Sequence, residues 1–339
     1  MSARHVLLAG LALAAAALLA VLAAPAEALR AWLAAAVLWS GLPLGSLGLA
    51  LTMRLTGGRW DRALPPFLEA GALTLPLACA ALLPVLLGLG ALYPWAGEPM
   101  PGFQGAWLAP LPFVLRTLIL FLGAGAILWA LVARRAPAGA VAAAGLLFLL
   151  PMQTFVLTDW LLSLAPGFHS SGFPLYAMSG QFNLAFMAAA ALLLSRQPRH
   201  TEALGAIMIT LTLTWLYLAF THYIVIWSGD LAPLVGWYRE RLGGLWGAAY
   251  GFCAAVETGV LLALLVPRLR RSAAALRAIA GAAILARIVE AAWLVLPAAG
   301  PMRVWPLLLY LLAACGLGLV FLSAQALILD RRVAARSPA

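Results

Sequence analysis

The 339-residue sequence has no lysine and few charged residues of either sign. Charged side chains make up 9% of the chain and hydrophobic ones 65%, whereas soluble domains carry about 25% charged residues. This composition excludes a soluble enzyme, a disordered chain and a secreted disulfide scaffold. All of the positive charge comes from arginine. Because the arginines stand singly or in pairs between apolar runs, they indicate membrane topology and not a nucleic-acid surface.

Cysteine and histidine are also scarce, with three and four residues. Cys79, Cys253 and Cys315 lie far apart inside apolar runs, so we interpret them as small buried hydrophobic residues. No two histidines share a helix at the spacing that haem ligation requires, and no Cys/His cluster suits zinc or an iron–sulfur centre. P-loop and GxSxG motifs are missing too. We therefore expect the chain itself to bind no haem, iron–sulfur cluster or metal.

Long apolar runs dominate what is present. A helix that crosses a bilayer needs about 20 mostly apolar residues, and the sequence offers ten such runs. The predicted spans are about 5–23, 31–54, 66–93, 108–133, 137–163, 171–195, 203–228, 244–267, 274–297 and 303–329. The predicted fold class is an all-α integral membrane protein with about ten transmembrane helices in the lipid bilayer.

The first span also has features of a signal peptide. Arg4 and His5 precede an Ala/Leu-rich run that ends at Ala26-Glu27-Ala28, a pattern typical of a cleavable leader. We expect this segment to be retained as a first helix. Cleavage would leave nine spans with the same orientation.

The arginine distribution predicts the orientation. Short cytoplasmic loops accumulate positive charge. One side of the predicted bundle holds Arg4, Arg54, Arg59, Arg62, Arg134, Arg135, Arg196, Arg199, Arg268, Arg270, Arg271, Arg277, Arg331, Arg332 and Arg336. The other side holds only Arg30, Arg239, Arg241 and Arg303. We predict a multi-pass protein of the bacterial inner membrane with both termini in the cytoplasm.

Ionisable side chains inside the spans are the strongest functional signal. They are Glu69, Arg116, Asp159, His222, Glu257, Arg287 and Glu290. A mid-helix Arg or Asp that faces lipid costs roughly 2.5–3.5 kcal/mol on insertion scales. These side chains must therefore point inward, pair with each other or meet water.

Their depth, at about 1.5 Å per residue, brings Arg116, Asp159 and His222 together in the outer leaflet. Glu257 is expected near the midplane and Glu69 near the cytoplasmic end. Two interpretations stay open. In one, Arg116–Asp159 and Arg287–Glu290 are ion pairs without chemistry. In the other, a polar pocket in the outer leaflet handles protons.

Three stretches, in this order, resemble a known family of membrane subunits. The first is LTGGRW at 55–60, followed by Glu69-Ala70, Pro76, Pro84 and LYPWA at 92–96; the second is DWLLS at 159–163, with Pro166, Phe173 and Tyr176; the third is AFTHYIVIW at 219–227, with Trp237-Tyr238 and Arg241. Over about residues 31–250 the chain is similar to the NrfD/PsrC (polysulfide reductase membrane subunit) superfamily, and most similar to the ActF-type subunit of alternative complex III.

The sequence departs from the family pattern at several positions. Met53 and Arg54 stand where the family often has paired histidines before LTGG. Ala165-Pro166-Gly167 replaces an Asp followed by Pro-His, and His222 stands where relatives often carry Gln.

The resemblance implies an architecture and a set of partners. It implies a first helix at 1–30, four-helix bundles at 31–165 and 166–300, and a last helix with a cytoplasmic tail at 301–339. It also implies periplasmic iron–sulfur and multihaem cytochrome subunits, a second NrfD-like membrane subunit, and quinone or quinol as substrate near the periplasmic face.

These expectations lead to a functional hypothesis: a quinone-interacting subunit of a multi-subunit respiratory oxidoreductase, not an enzyme on its own. Asp159 and His222 would exchange protons with the two ends of the quinone ring, while Arg116 keeps a carboxylate ionised. The expected ring contacts are Trp160, Tyr176 and Tyr223. The expected inward proton route is Glu290, Arg287, Glu257 and Glu69. A non-catalytic anchor for periplasmic redox subunits and a proton-coupled secondary transporter remain as alternatives.

Overall fold

The computed structural model describes residues 3–57, 63–98, 100–133, 138–198 and 201–334. Every regular element in these ranges is a helix, and no β-strand occurs in them. The predicted all-α class is confirmed.

In the described ranges, ten helices are long and apolar enough to cross a membrane, as expected of a multi-pass membrane protein. In chain order, spans 1 to 10 are Ala3–Leu22, Pro25–Thr56, Pro65–Leu87, Pro110–Val132, Gly139–Leu164, Phe173–Arg196, Thr201–Gly229, Gly244–Leu265, Ala273–Ala298 and Val304–Ala334. Shorter helices are Leu89–Leu92, Pro94–Gly97, Gly102–Trp107, Ala232–Leu242 and Pro267–Arg270.

Span 3 is interrupted between the helices Pro65–Ala72 and Leu75–Leu87. The Thr74 hydroxyl donates a 2.7 Å hydrogen bond to the Gly71 carbonyl. Pro76 follows at the start of the next helix. Because proline has no backbone N–H, a continuous ladder cannot form across this point. A proline in the middle of an apolar run is the sequence feature that indicates this interruption.

Span 2 lies at the centre of the molecule and is enclosed by other helices. It packs against spans 3, 5, 6, 9 and 10. The Trp39 indole N–H donates a 2.8 Å hydrogen bond to the Ala314 carbonyl of span 10. At Gly45 the backbone of span 6 comes so close that an added Cβ would lie 2.5 Å from the Gln181 carbonyl oxygen. The small residue Gly45 thus allows the two helices to pack closely.

Two of the short helices carry residues of the site described below. Gly102–Trp107 precedes span 4, and Ala232–Leu242 precedes span 8. Both lie on the side of the molecule where span 5 ends, since successive spans alternate in direction. Trp237, Tyr238 and Arg241 of the second helix are buried.

Several residues used for the orientation lie outside the described ranges. They are Arg59, Arg62, Arg134, Arg135, Arg199 and Arg336, together with Trp60 of the LTGGRW stretch. The cytoplasmic placement of the termini and the division into two four-helix bundles stay predictions.

Candidate functional site

Arg116 of span 4 and Asp159 of span 5 form a buried ion pair. Arg116 Nε lies 2.6 Å from Asp159 Oδ2, and Nη2 lies 3.1 Å from Oδ1. The Trp107 indole N–H donates to Oδ1 at 3.0 Å. Arg116 also donates to the Trp107 carbonyl at 2.7 Å, and its guanidinium carbon lies 4.1 Å from the centre of the indole ring. The expected pairing of Arg116 with Asp159 is therefore present, and Trp107 completes it.

A cavity of about 500 Å³ lies directly beside this pair, within the range of small-molecule sites. Its aromatic walls are Phe103, Trp107, Phe155 and Phe168. The Trp107 and Phe155 rings meet edge to face at 5.7 Å between centroids. Four aromatic rings around one space suit a flat, apolar ring system.

Polar side chains also line the cavity: Gln104, Thr158, Ser163 and His169. Ser163 donates to the Asp159 carbonyl at 2.5 Å, and Thr158 donates to the Thr154 carbonyl at 2.9 Å. Each hydroxyl oxygen can still accept a hydrogen bond. His169 is exposed in the linker before span 6. The cavity thus offers a few polar groups on a mostly apolar surface.

His222 of span 7 belongs to a different network. Its Nδ1 lies 2.6 Å from the Tyr238 hydroxyl and its Nε2 lies 3.0 Å from the Ser170 hydroxyl. The ring stacks on Tyr176 at 5.8 Å and meets Phe168 edge to face at 6.1 Å. Burial raises the pKa of Tyr238 above its usual value, so this phenol keeps its proton at neutral pH.

The predicted meeting of Arg116, Asp159 and His222 is not a direct one. Both carboxylate oxygens of Asp159 are bonded to Arg116 and Trp107, and both ring nitrogens of His222 are bonded elsewhere. The two groups nevertheless approach one cavity. Trp107 stands between the cavity and Asp159, and Phe168 contacts His222 while lining the same cavity.

A second buried cluster joins four spans. Glu290 of span 9 accepts hydrogen bonds from the Tyr176 hydroxyl, from the Trp215 indole at 2.9 Å and from Arg287. Arg287 also donates to Glu257 at 3.0 Å, and its guanidinium carbon lies 3.8 Å from the Trp215 ring centre. The expected Arg287–Glu290 pair forms, and Glu257 extends it to a triad. Through Tyr176 this triad reaches the ring of His222.

Glu69 lies apart from these groups. It pairs with Arg54 and Arg332, each at 2.9 Å, near the start of span 3. That end of the molecule is opposite to the end that holds Asp159. The contacts of the described residues do not connect Glu69 to Glu257, so they provide no link for the inward part of the predicted proton route.

Trp160 and Tyr223, expected as ring contacts, do not line the cavity. Trp160 is fully buried, donates to the Thr117 hydroxyl at 3.1 Å and accepts from Tyr93 through its carbonyl. Tyr223 is half-buried and stacks on Trp227 at 5.7 Å. Tyr176 is buried in the Glu290 cluster and does not line the cavity either.

Sequence reasoning missed four residues: Trp107 beside the Arg116–Asp159 pair, Ser170 and Tyr238 beside His222, and Trp215 beside Glu290. Trp107 and Tyr238 lie in the two longest outer linkers, where aromatic residues are ordinarily assigned to the headgroup boundary. That general rule does not predict the specific hydrogen bonds that these two residues form. Trp215 in mid-span was a usable signal, because a buried indole N–H requires an acceptor.

In the described part of the chain, no group of three or more His, Cys, Asp or Glu residues could hold a metal ion. The chain matches no protein-family model and no curated protein.

Proposed function

We propose that the protein is a quinone- or quinol-interacting membrane subunit of a multi-subunit respiratory oxidoreductase. The substrate ring would occupy the cavity between Phe103, Trp107, Phe155 and Phe168. The observation that carries the proposal is that wall residues of this cavity contact both predicted proton-handling residues. One aromatic wall residue contacts Asp159 and another contacts His222.

The chemistry of a quinol explains why two such residues are useful. Oxidation releases two electrons and two protons, one proton from each hydroxyl at opposite ends of the ring. Asp159, paired with Arg116, would accept a proton on one side. His222 is a neutral imidazole acceptor on the other. Each would be reached when its aromatic wall residue shifts.

The second cluster supports a proton-conducting role beyond the cavity. His222 stacks on Tyr176, whose hydroxyl bonds to Glu290. Glu290 in turn pairs with Arg287, which pairs with Glu257. This succession leads from the cavity side into the interior of the bundle. Electrons would leave through an iron–sulfur or haem group of a partner subunit, as the resemblance to the NrfD/PsrC superfamily implies.

A photoreactive quinone tests the site directly. We expect it to label peptides that contain residues 103–108 and 155–169, and we expect excess natural quinone to suppress the labelling. Labelling confined to lipid-facing positions such as Trp305 would refute the cavity as the quinone site.

Two substitutions test the roles. Asp159→Asn and His222→Ala are each expected to abolish quinol oxidation in a complex that still assembles. Wild-type turnover in both variants would refute the proton-handling roles of Asp159 and His222.

A chain that copurifies with cofactor-bearing subunits but retains no quinone would be an anchor. A chain that drives solute uptake alone in proteoliposomes would be a transporter.

A further inference from the structure

The triad of Glu257, Arg287 and Glu290 has an uneven number of charges. With all three groups ionised it carries a net charge of −1. All three side chains are buried, and in the described part of the chain both carboxylates form salt bridges with Arg287 alone. The other titratable groups nearby are Cys253, Tyr176, Tyr250 and Tyr310. Thiols and phenols are uncharged at neutral pH, so none of them supplies a compensating charge.

A buried net charge is strongly unfavourable, because the protein interior and the surrounding lipid solvate it poorly. Two carboxylates that share one cation behave as a coupled pair, and such a pair takes up a proton to become neutral overall. We infer that the triad binds one proton and that Glu257 carries it as a neutral carboxylic acid, while Glu290 stays ionised.

The hydrogen bonds assign the proton to Glu257. Glu290 accepts from three donors, the Tyr176 hydroxyl, the Trp215 indole and Arg287. Donors of this kind stabilise an ionised carboxylate. Among the residues that the structure describes, Glu257 accepts from Arg287 at Oε1 only, and its buried Oε2 has no hydrogen-bond partner. Oε2 is therefore the atom that bears the proton.

A small cavity lies beside Arg287 and Glu290 of the triad, and Glu257 is not among the described residues that line it. It measures about 40 Å³ and is lined by Arg287, Glu290, Gly180 and Gln181 among mostly apolar residues. Such a volume has room for about two or three water molecules. Water there would touch the Arg287–Glu290 side of the triad. Glu257 is thus a proton-loading group within the bundle: an event that neutralises Glu290 or displaces Arg287 alters the charge balance and changes its occupancy.

The proton count follows from the triad itself and holds whether or not a quinone binds. The infrared spectrum of the purified protein, or of the complex in which it is isolated, tests it without any turnover assay. We expect wild type to show the carbonyl band of a protonated carboxylic acid that shifts in D₂O. We expect Glu257→Gln to lack this band and Glu257→Asp to show it at a shifted frequency.

Two further variants make the test specific. Glu69→Gln is the matched control: Glu69 has two arginine partners, so the band should be unchanged. In Glu290→Gln the band should also disappear, because Glu257 then ionises as the sole partner of Arg287.

Thermal stability distinguishes the protonated Glu257 from the ionised Glu290. Gln is a close mimic of a neutral Glu257, so Glu257→Gln should keep a wild-type Tm. In Glu290→Gln the amide NH₂, which is a donor, would face one of the three hydrogen-bond donors that surround Glu290. Tm should therefore fall clearly. A band that persists in Glu257→Gln or Glu290→Gln, a wild type without the band, or a Glu257→Gln protein less stable than Glu290→Gln would each overturn the assignment.

Discussion

The Trp107 indole N–H donates a 3.0 Å hydrogen bond to Oδ1 of Asp159, and the same indole ring forms a wall of the 500 Å³ cavity. The residue that would contact a bound ring therefore also positions the buried carboxylate. Arg116 strengthens this coupling, because its guanidinium lies over the Trp107 ring while it binds Asp159. Movement of the indole on ligand binding would be transmitted directly to the ion pair.

Trp107→Phe tests this coupling. The substitution keeps an aromatic wall but removes one hydrogen bond to the carboxylate. A hydrogen bond to a charged group is worth about 1.5–3 kcal/mol, so we expect quinol oxidation to fall by roughly tenfold to a hundredfold. Steady-state turnover of the assembled complex measures the effect. The control is Trp305→Phe at an exposed position of span 10, which should leave turnover unchanged; equal losses in both variants would contradict the role of Trp107.

Removal of Arg116 should destabilise the protein. Arg116→Met leaves Asp159 fully buried without its counter-ion, and breaking a buried pair in this way costs about 3–5 kcal/mol. The double variant Arg116→Met/Asp159→Leu removes both charges and should recover most of the lost stability, yet it should remain inactive. Denaturation in detergent and a turnover assay measure the two effects. A double variant no more stable than Arg116→Met would show that the pair is not coupled.

Stability should decline at alkaline pH through two buried phenols. Burial raises the pKa of Tyr238 and of Tyr93 above the usual value of 10.0. Above pH 10 the unfolded chain releases these protons while the folded chain keeps them, so the free energy of unfolding falls as pH rises. Each phenol contributes at most about 1.4 kcal/mol per pH unit. Melting curves recorded between pH 9 and 12 should show that Tm falls less steeply with pH in Tyr238→Phe and in Tyr93→Phe than in wild type.

The close contact between spans 2 and 6 predicts a contrast between two glycines. An added methyl group at Gly45 would lie 2.5 Å from the Gln181 carbonyl oxygen, whereas at Gly259 nothing lies within 4 Å. Gly45→Ala should therefore lower Tm by several degrees, since overpacking costs about 1–3 kcal/mol. Gly259→Ala should leave Tm unchanged or raise it slightly. The same Tm for both variants would show that spans 2 and 6 are not in such close contact.

The sequence predicted the spans well because their signal is local. Twenty apolar residues in a row are sufficient to identify a helix such as Phe173–Arg196, and all ten runs were located to within six residues at either end. The break in span 3 was only suggested by Pro76, because a proline either kinks or interrupts a helix depending on its neighbours.

The site was harder to predict because it depends on which helices are neighbours. Charge complementarity paired Arg116 with Asp159 and Arg287 with Glu290 correctly. Depth alone brought His222 to the same level, but equal depth does not make two residues neighbours around the bundle. Ser170 and Tyr238, which lie 52 and 16 residues from His222 in sequence, determine its hydrogen bonds, and no pattern in the chain specifies them.

Phe168 offers the sharpest test of whether the cavity and His222 act together. Its ring lines the cavity, stacks on Trp237 at 4.5 Å and meets His222 at 6.1 Å. Phe168→Leu should lower kcat and change the pH profile of quinol oxidation, because the wall between the substrate and the imidazole is altered. Phe103→Leu is the matched control: Phe103 lines the same cavity but is largely exposed. We expect it to raise KM and leave the pH profile as in wild type. If both variants changed KM alone, the cavity would still bind the ring, but His222 would have no part in the proton transfer.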